Sequence, residues 1–176
     1  GKNIEQHTIK NKNKQITLLG YVFHCYENKT EKELISNLIS LEGEEVLDEI
    51  DLWCGHFVLF INKKELKIYS DACASFKVFY GKNDNYRIVG SDPNVINRFI
   101  SFDIHQDEDK ANFYTSKYFI NNPTKIGHHT RFRNMYQLVS NHCLYLENNK
   151  SERVFPRKKR IELSQKEAGN KLIRIF

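Results

Sequence analysis

Four cysteines and seven histidines carry most of this chain's capacity for nucleophilic or metal chemistry. A thiolate activated by a nearby histidine can attack a carbonyl carbon, and any of Cys25, Cys54, Cys73 and Cys143 could be so paired. Cys73 is the most suggestive, because it lies in the turn-like Asp71-Ala72-Cys73-Ala74-Ser75. With nothing further to single it out, a structural role is expected for it. Three adjacent pairs raise the question of metal: His24-Cys25, His128-His129 and His142-Cys143. Neighbours on a strand point to opposite faces, so one pair does not supply two ligands. Only convergence of one residue from each pair would make a site, and the spacing matches no zinc pattern. Neither a metal nor a cofactor is expected. Nucleotide chemistry has no support either. The eight glycines are scattered, and they form neither GxGxxG, nor GxxxxGK followed by Ser or Thr, nor an SGGxDS-type pyrophosphatase loop. There is no GxSxG nucleophile elbow.

The cysteines form no CxxC pair, and the polar first residues carry no signal-peptide core, so reduced thiols and a cytoplasmic location are expected. Cys25 and Cys54 lie in apolar, strand-like surroundings and are expected to act there as small hydrophobes. The Asn-x-Thr/Ser triplets at Asn28 and Asn149 then carry no glycan. A net charge of +5 is mild, and its only dense block is Arg157-Lys158-Lys159-Arg160, expected to be a solvated connector. Nucleic acid is therefore not an expected partner, since binding modules concentrate their charge on one face. The apolar runs are too short to span a bilayer, so no membrane partner is expected.

Positioning these residues requires elements that the periodicity predicts. The chain's 176 residues, 40% hydrophobic and 28% charged, allow one domain with a real core. Residues 1–14 are polar and aperiodic and are expected to fray. Gln15 to Tyr26 reads as a buried strand. Thr30 and Glu33 form a capping box that opens a helix with Leu34, Ile35, Leu38, Ile39 and Leu41 at helical spacing. Gly43 breaks it, and a short helix follows with Val46, Leu47 and Ile50 inward. Gly55–Asn62, Glu65–Ser70, Phe76–Tyr80 and Tyr86–Val89 read as strands of an antiparallel meander. Asp92-Pro93 caps a helix ending at Phe99. Residues 106–119 look helical, and Asn121 to Thr130 reads as a loop. Arg131–Leu138 and His142–Glu147 read as strands, with Asn141 between them at a turn needing positive φ. Glu147–Glu152 is a turn. Ser164 and Glu167 form a second capping box, opening a helix to Phe176. The fold class is α+β, with helices covering antiparallel sheet.

Several ordered segments resemble the glutaminase domain of asparagine synthetases and other class II glutamine amidotransferases. That family carries G-x-F-A, then a strand ending R-D-x-x-G-x-x-P-L-Y-Y, then a strand ending A-S-E. The matching residues here are Gly55-His56-Phe57-Val58, then Asp71 through Tyr80 without a gap, then Val89-Gly90-Ser91-Asp92. Thr130 to Leu146 resembles a later family stretch, with Asn141 where the family has glycine. Val154-Phe155-Pro156 resembles the aromatic-proline segment that closes the glutaminase half. The resemblance covers most of residues 15–176. It implies Ntn-hydrolase-like layered antiparallel sheets flanked by helices. It divides the chain into a frayed lead (1–14), a glutaminase-like domain (15–156), and a basic connector and helix (157–176) leading toward a missing synthetase domain.

The family's chemistry needs an N-terminal cysteine, its α-amino group as base, and a strand ending Asn-Gly as oxyanion hole. This chain begins with Gly1, Leu19 stands where the Asn should be, and Tyr21 stands for the following Glu. The ligand-binding positions that the resemblance carries over are Gly20 and, by loose alignment, Glu31, both expected to be inert. The resemblance thus implies a non-catalytic, degenerate domain of an asparagine synthase-related, ATP-dependent amide-forming protein, serving as a structural or docking platform. Its expected partner is a C-terminal ATP-using synthetase domain of the same parent chain, and a homodimer is left open. One alternative is a fragment of an active glutamine-hydrolysing enzyme whose cysteine segment is missing. Another is a small basic binding module.

Overall fold

The computed structural model describes residues 4–121, 127–157 and 164–173. Among the described residues nine strands follow one another: β1 (Gln6–Lys10), β2 (Gln15–His24), β3 (Trp53–Asn62), β4 (Leu66–Ser70), β5 (Phe79–Lys82), β6 (Arg87–Gly90), β7 (Met135–Gln137), β8 (His142–Tyr145) and β9 (Lys150–Arg153). They build two antiparallel sheets, one of six strands ordered β1-β2-β3-β4-β8-β9 and one of three ordered β6-β5-β7. The helices are α1 (Glu31–Leu38), α2 (Glu44–Ile50), α3 (Pro93–Phe99), α4 (Glu108–Thr115), α5 (Lys117–Asn121) and α6 (Gln165–Ile173). The α+β class expected from the sequence is the one observed.

Side-chain alternation along the strands sorts the apolar residues into layers. Ile16, Leu18 and Val22 of β2 share a face with Phe57, Leu59 and Ile61 of β3, and there α1 and α2 lay down Leu34, Ile35, Leu38, Val46 and Ile50. Val58, Ile68 and Leu144 point the other way and pack with Val78, Tyr80 and Leu138 from the second sheet and its flanks. Phe79 and Met135, on the far face of the second sheet, meet Ile96 of α3, Phe102 and Phe132. The order is therefore helices, six-stranded sheet, three-stranded sheet, helix. Each large apolar side chain so buried contributes about 1.5–3 kcal/mol.

Local signals account for the helix starts. Thr30 Oγ1 accepts from the Glu33 amide while the Glu33 carboxylate accepts from the Thr30 amide, so the capping box is formed. Asp92 accepts from the amides of Asn94 and Val95, with Pro93 in the first turn of α3. Ser164 and Glu167 make the second box at α6. The far end of α1 is closed by a buried lysine: Lys14 Nζ donates to the carbonyls of Leu38 and Leu41 at 2.9 and 2.6 Å.

Five expectations are corrected. Within the lead, Gln6–Lys10 is not frayed, since it pairs with Gln15–Leu19 residue by residue. An edge strand is held by its partner's backbone, so a polar sequence sufficed and left no apolar signal. The meander ends at β4. The chain then crosses to the second sheet, and the residues after Ser70 form a loop, so the next strand starts at Phe79 rather than Phe76. Of Arg131–Leu138, Met135–Gln137 is strand, while Phe132 makes only an isolated bridge to Ile104. Lys150–Arg153, which overlaps the expected Glu147–Glu152 turn, is an edge strand paired with β8. Arg157 is not a solvated connector residue: its guanidinium binds the Asp48 carboxylate at 2.7 Å, the Glu44 carboxylate and the Glu44 carbonyl, which fastens it to α2. Lys158, Lys159, Arg160 and the expected helix end at Phe176 lie outside the described residues, as do residues 122–126 of the expected Asn121–Thr130 loop. Among the described residues no helix is long and apolar enough to cross a membrane.

Candidate functional site

A cavity of about 550 Å³ opens between the inner face of the six-stranded sheet and the edge of the three-stranded one. Leu19, Val58 and Phe60 form its floor on β2 and β3, and Phe76, Val78 and Val89 wall it from the second layer. The polar side chains at its rim are Ser75, Lys77 and Ser91. An apolar cleft with a few polar groups is the usual form of a ligand site.

Gly20 lies next to Leu19 on the floor. Its φ is 100°, and a Cβ added there would overlap the His56 carbonyl oxygen and reach 2.7 Å from Phe76 Cε2. Only glycine meets both demands, a positive φ and a close backbone approach. Its N–H is already used, since it donates to the Glu5 carbonyl at 2.8 Å. That bond comes from the segment entering β1, so the polar lead is what occupies this amide.

The loop after β4 is organised by Asp71, which is buried. Its carboxylate accepts from the amides of Cys73 (2.9 Å), Ser75 (3.0 Å) and Phe57 (3.3 Å), and from the Ser75 hydroxyl (3.0 Å). The Asp71 amide donates in return to the Phe57 carbonyl at 3.1 Å. Asp71 thus ties β3 to the loop that brings Phe76 against Gly20. The loop turns at Ala74, whose φ is 49°. A left-handed non-glycine residue costs about 1–2 kcal/mol, while glycine adds unfolded-state entropy of about 0.4–1 kcal/mol. Ala74→Gly is accordingly expected to raise stability by about 1 kcal/mol or less. Urea denaturation checks this, and a fall of similar size would contradict the strain assignment.

Of the two ligand positions carried over from the resemblance, Gly20 adjoins the cavity and Glu31 does not. Glu31 opens α1, and that helix covers the opposite face of the sheet from Leu19. Glu31 thus lies across the sheet from the cavity, since the two faces of a sheet point apart. Tyr21 is exposed and stacks on His56 with ring centroids 5.3 Å apart.

The nucleophile and metal candidates do not assemble. Cys143 is fully buried, and burial pushes its thiol up to about 11. At neutral pH it is protonated and inert. Cys73 is exposed, and its amide serves the Asp71 loop. His128 and His129 stack on each other with centroids 4.3 Å apart, and His129 is held below the usual imidazole range, by burial first and then by His128. Among the described residues no group of three or more His, Cys, Asp or Glu could hold a metal ion. Sequence reasoning also missed a pair. Cys25 and Cys54 are exposed rather than packed as hydrophobes, and their sulfurs lie 3.3 Å apart. The contact depends on the β2–β3 register, which pairs Phe23 with Cys54, and the sequence carries no signal for it.

No protein-family model matches the chain, and no curated protein matches it in sequence.

Proposed function

We propose that this chain is a catalytically silent glutaminase-like domain of the asparagine-synthetase type, with Ntn-hydrolase-like layering, and that it acts as a structural or docking platform for an ATP-using amide-forming domain. The observation that carries the silent part is the state of the oxyanion position. Amide hydrolysis by this chemistry needs backbone and side-chain donors aimed at the developing oxyanion. Here the Leu19 side chain has no donor, and the Gly20 amide is given to the Glu5 carbonyl.

The family part is supported by backbone geometry. The motif places glycine at the positions of Gly20, Gly55, Ala74 and Asn141, and φ at these residues is 100°, 140°, 49° and 65°. Glycine is the residue such dihedrals favour, and asparagine is the commonest substitute. The motif's conserved-type Asp falls on Asp71, whose carboxylate organises the loop. Two stacked antiparallel sheets with helices outside agree with the layering the family implies.

The test is incubation of the purified chain with isotope-labelled L-glutamine. Glutamate should form no faster than in buffer, and Leu19→Asn should not change that while Glu5 holds the neighbouring amide. Turnover above buffer by the unaltered chain would overturn the silent assignment.

A further inference from the structure

We propose that Cys25 and Cys54 are a reversible modification site: a peroxide, or a small-molecule disulfide, converts them to a disulfide that fastens the end of β2 to β3. Three observations lead there. The two sulfurs lie 3.3 Å apart, within reach of a bond after small side-chain rotations. Both residues are exposed, so a small oxidant can approach. Both are tied to the sheet's backbone: the Cys25 amide donates to the Leu52 carbonyl at 2.9 Å, and Cys54 is opposite Phe23 in the β2–β3 register. Cys54 thus lies within β3, and Cys25 is the first residue after β2, held beside it by that one backbone bond.

Burial beside its neighbour, and then hydrogen bonding to Cys54, push the Cys25 thiol up to about 11, with Asp51 adding to the effect. Either sulfur can donate to the other across the 3.3 Å contact, and the steps that follow hold with the two exchanged. With hydrogen peroxide, the Cys54 thiolate attacks one oxygen, the O–O bond breaks, and hydroxide leaves. Cys54 is then a sulfenic acid. The Cys25 sulfur attacks the Cys54 sulfur, an S–S bond forms, the S–O bond breaks, and the proton from Cys25 leaves with the oxygen as water. In sum two thiols and one peroxide give one disulfide and two waters. With a small disulfide the Cys54 thiolate displaces one of its thiols, and Cys25 then displaces the other.

The bond would close the chain around α1 and α2, both of which lie between the two cysteines in sequence. Cross-linking of that kind restricts the unfolded chain. Cys73 is exposed too and serves as an internal comparison, since its amide is committed to Asp71 while its thiol is accessible.

The full chain should be treated with stoichiometric hydrogen peroxide, and in parallel with oxidised glutathione. It should then be alkylated under denaturing conditions and mapped by peptide mass spectrometry. The expected result is loss of alkylation at Cys25 and Cys54 together, a peptide linking them, retained alkylation at Cys143, an upward shift in Tm, and full reversal by dithiothreitol. Cys25→Ser should abolish the linked peptide and leave Cys54 as the sulfenic acid or the glutathione adduct. The proposal is overturned if both residues stay fully alkylatable while Cys73 is modified, or if the linked peptide joins other cysteines.

Discussion

Gly20→Ala is expected to cost about 4 kcal/mol or more, a large share of the about 5–15 kcal/mol by which a small domain is stable. Two causes act together. A φ of 100° is one that an L side chain rarely adopts, and the added Cβ would overlap the carbonyl oxygen of His56 on the neighbouring strand. Phe76, the other contact, could rotate away, but a β3 carbonyl within a sheet cannot move without breaking its ladder. The variant should therefore lose the β2–β3 pairing around Gly20↔Phe57, and much of it should be insoluble or unfolded at room temperature. Circular dichroism on heating measures this. A variant within about 1 kcal/mol of the parent, by the order of magnitude usual for a tolerated site, would mean that the backbone does not approach as closely as described.

The second large effect belongs to Asp71. Asp71→Ala removes one carboxylate acceptor that serves three backbone amides and a hydroxyl, including the amide of the buried Phe57. Hydrogen bonds to a charged group are worth about 1.5–3 kcal/mol, and a buried donor left without a partner costs about 1–3 kcal/mol. Water can reach the exposed amides of Cys73 and Ser75, so the full sum does not apply. About 3 kcal/mol is expected, read from urea denaturation. Asp71→Asn should fall between, because one oxygen still accepts while the amide nitrogen faces donors. The loop should also loosen in the Ala variant and carry Phe76 away from Gly20, which would enlarge the cavity. An Ala variant as stable as the parent would contradict the role given to this carboxylate.

How much of this was legible in the sequence depended on where the stabilising partner lies. The two capping boxes and the Asp92-Pro93 start are self-contained within four residues, and each was formed as read. β2 and β3 carried enough apolar, β-branched sequence to be placed within a few residues of their ends. β1 and β9 did not, because edge strands of polar residues are held by a partner's backbone and leave no pattern of their own. The crossing from β4 to the second sheet was also invisible. It is set by Asp71 reaching back to Phe57, and nothing local marks that. Of the site, Gly20 was legible as a position that the resemblance singles out. The identity of the groups approaching it, His56, Phe76 and Glu5, was not, since each comes from a separate stretch of chain. Glu31 opens a helix that covers the sheet's other face.

The decisive measurement is hydrogen exchange of the Gly20 amide, followed by nuclear magnetic resonance with and without L-glutamine. If Glu5 holds this N–H as described, the amide should exchange slowly, with protection similar to its neighbours in the β2–β3 ladder. Adding L-glutamine should leave its resonance and its exchange rate unchanged. Fast exchange of the Gly20 amide, together with a glutamine-dependent shift of its resonance, would show an open donor and contradict the account of a closed oxyanion position.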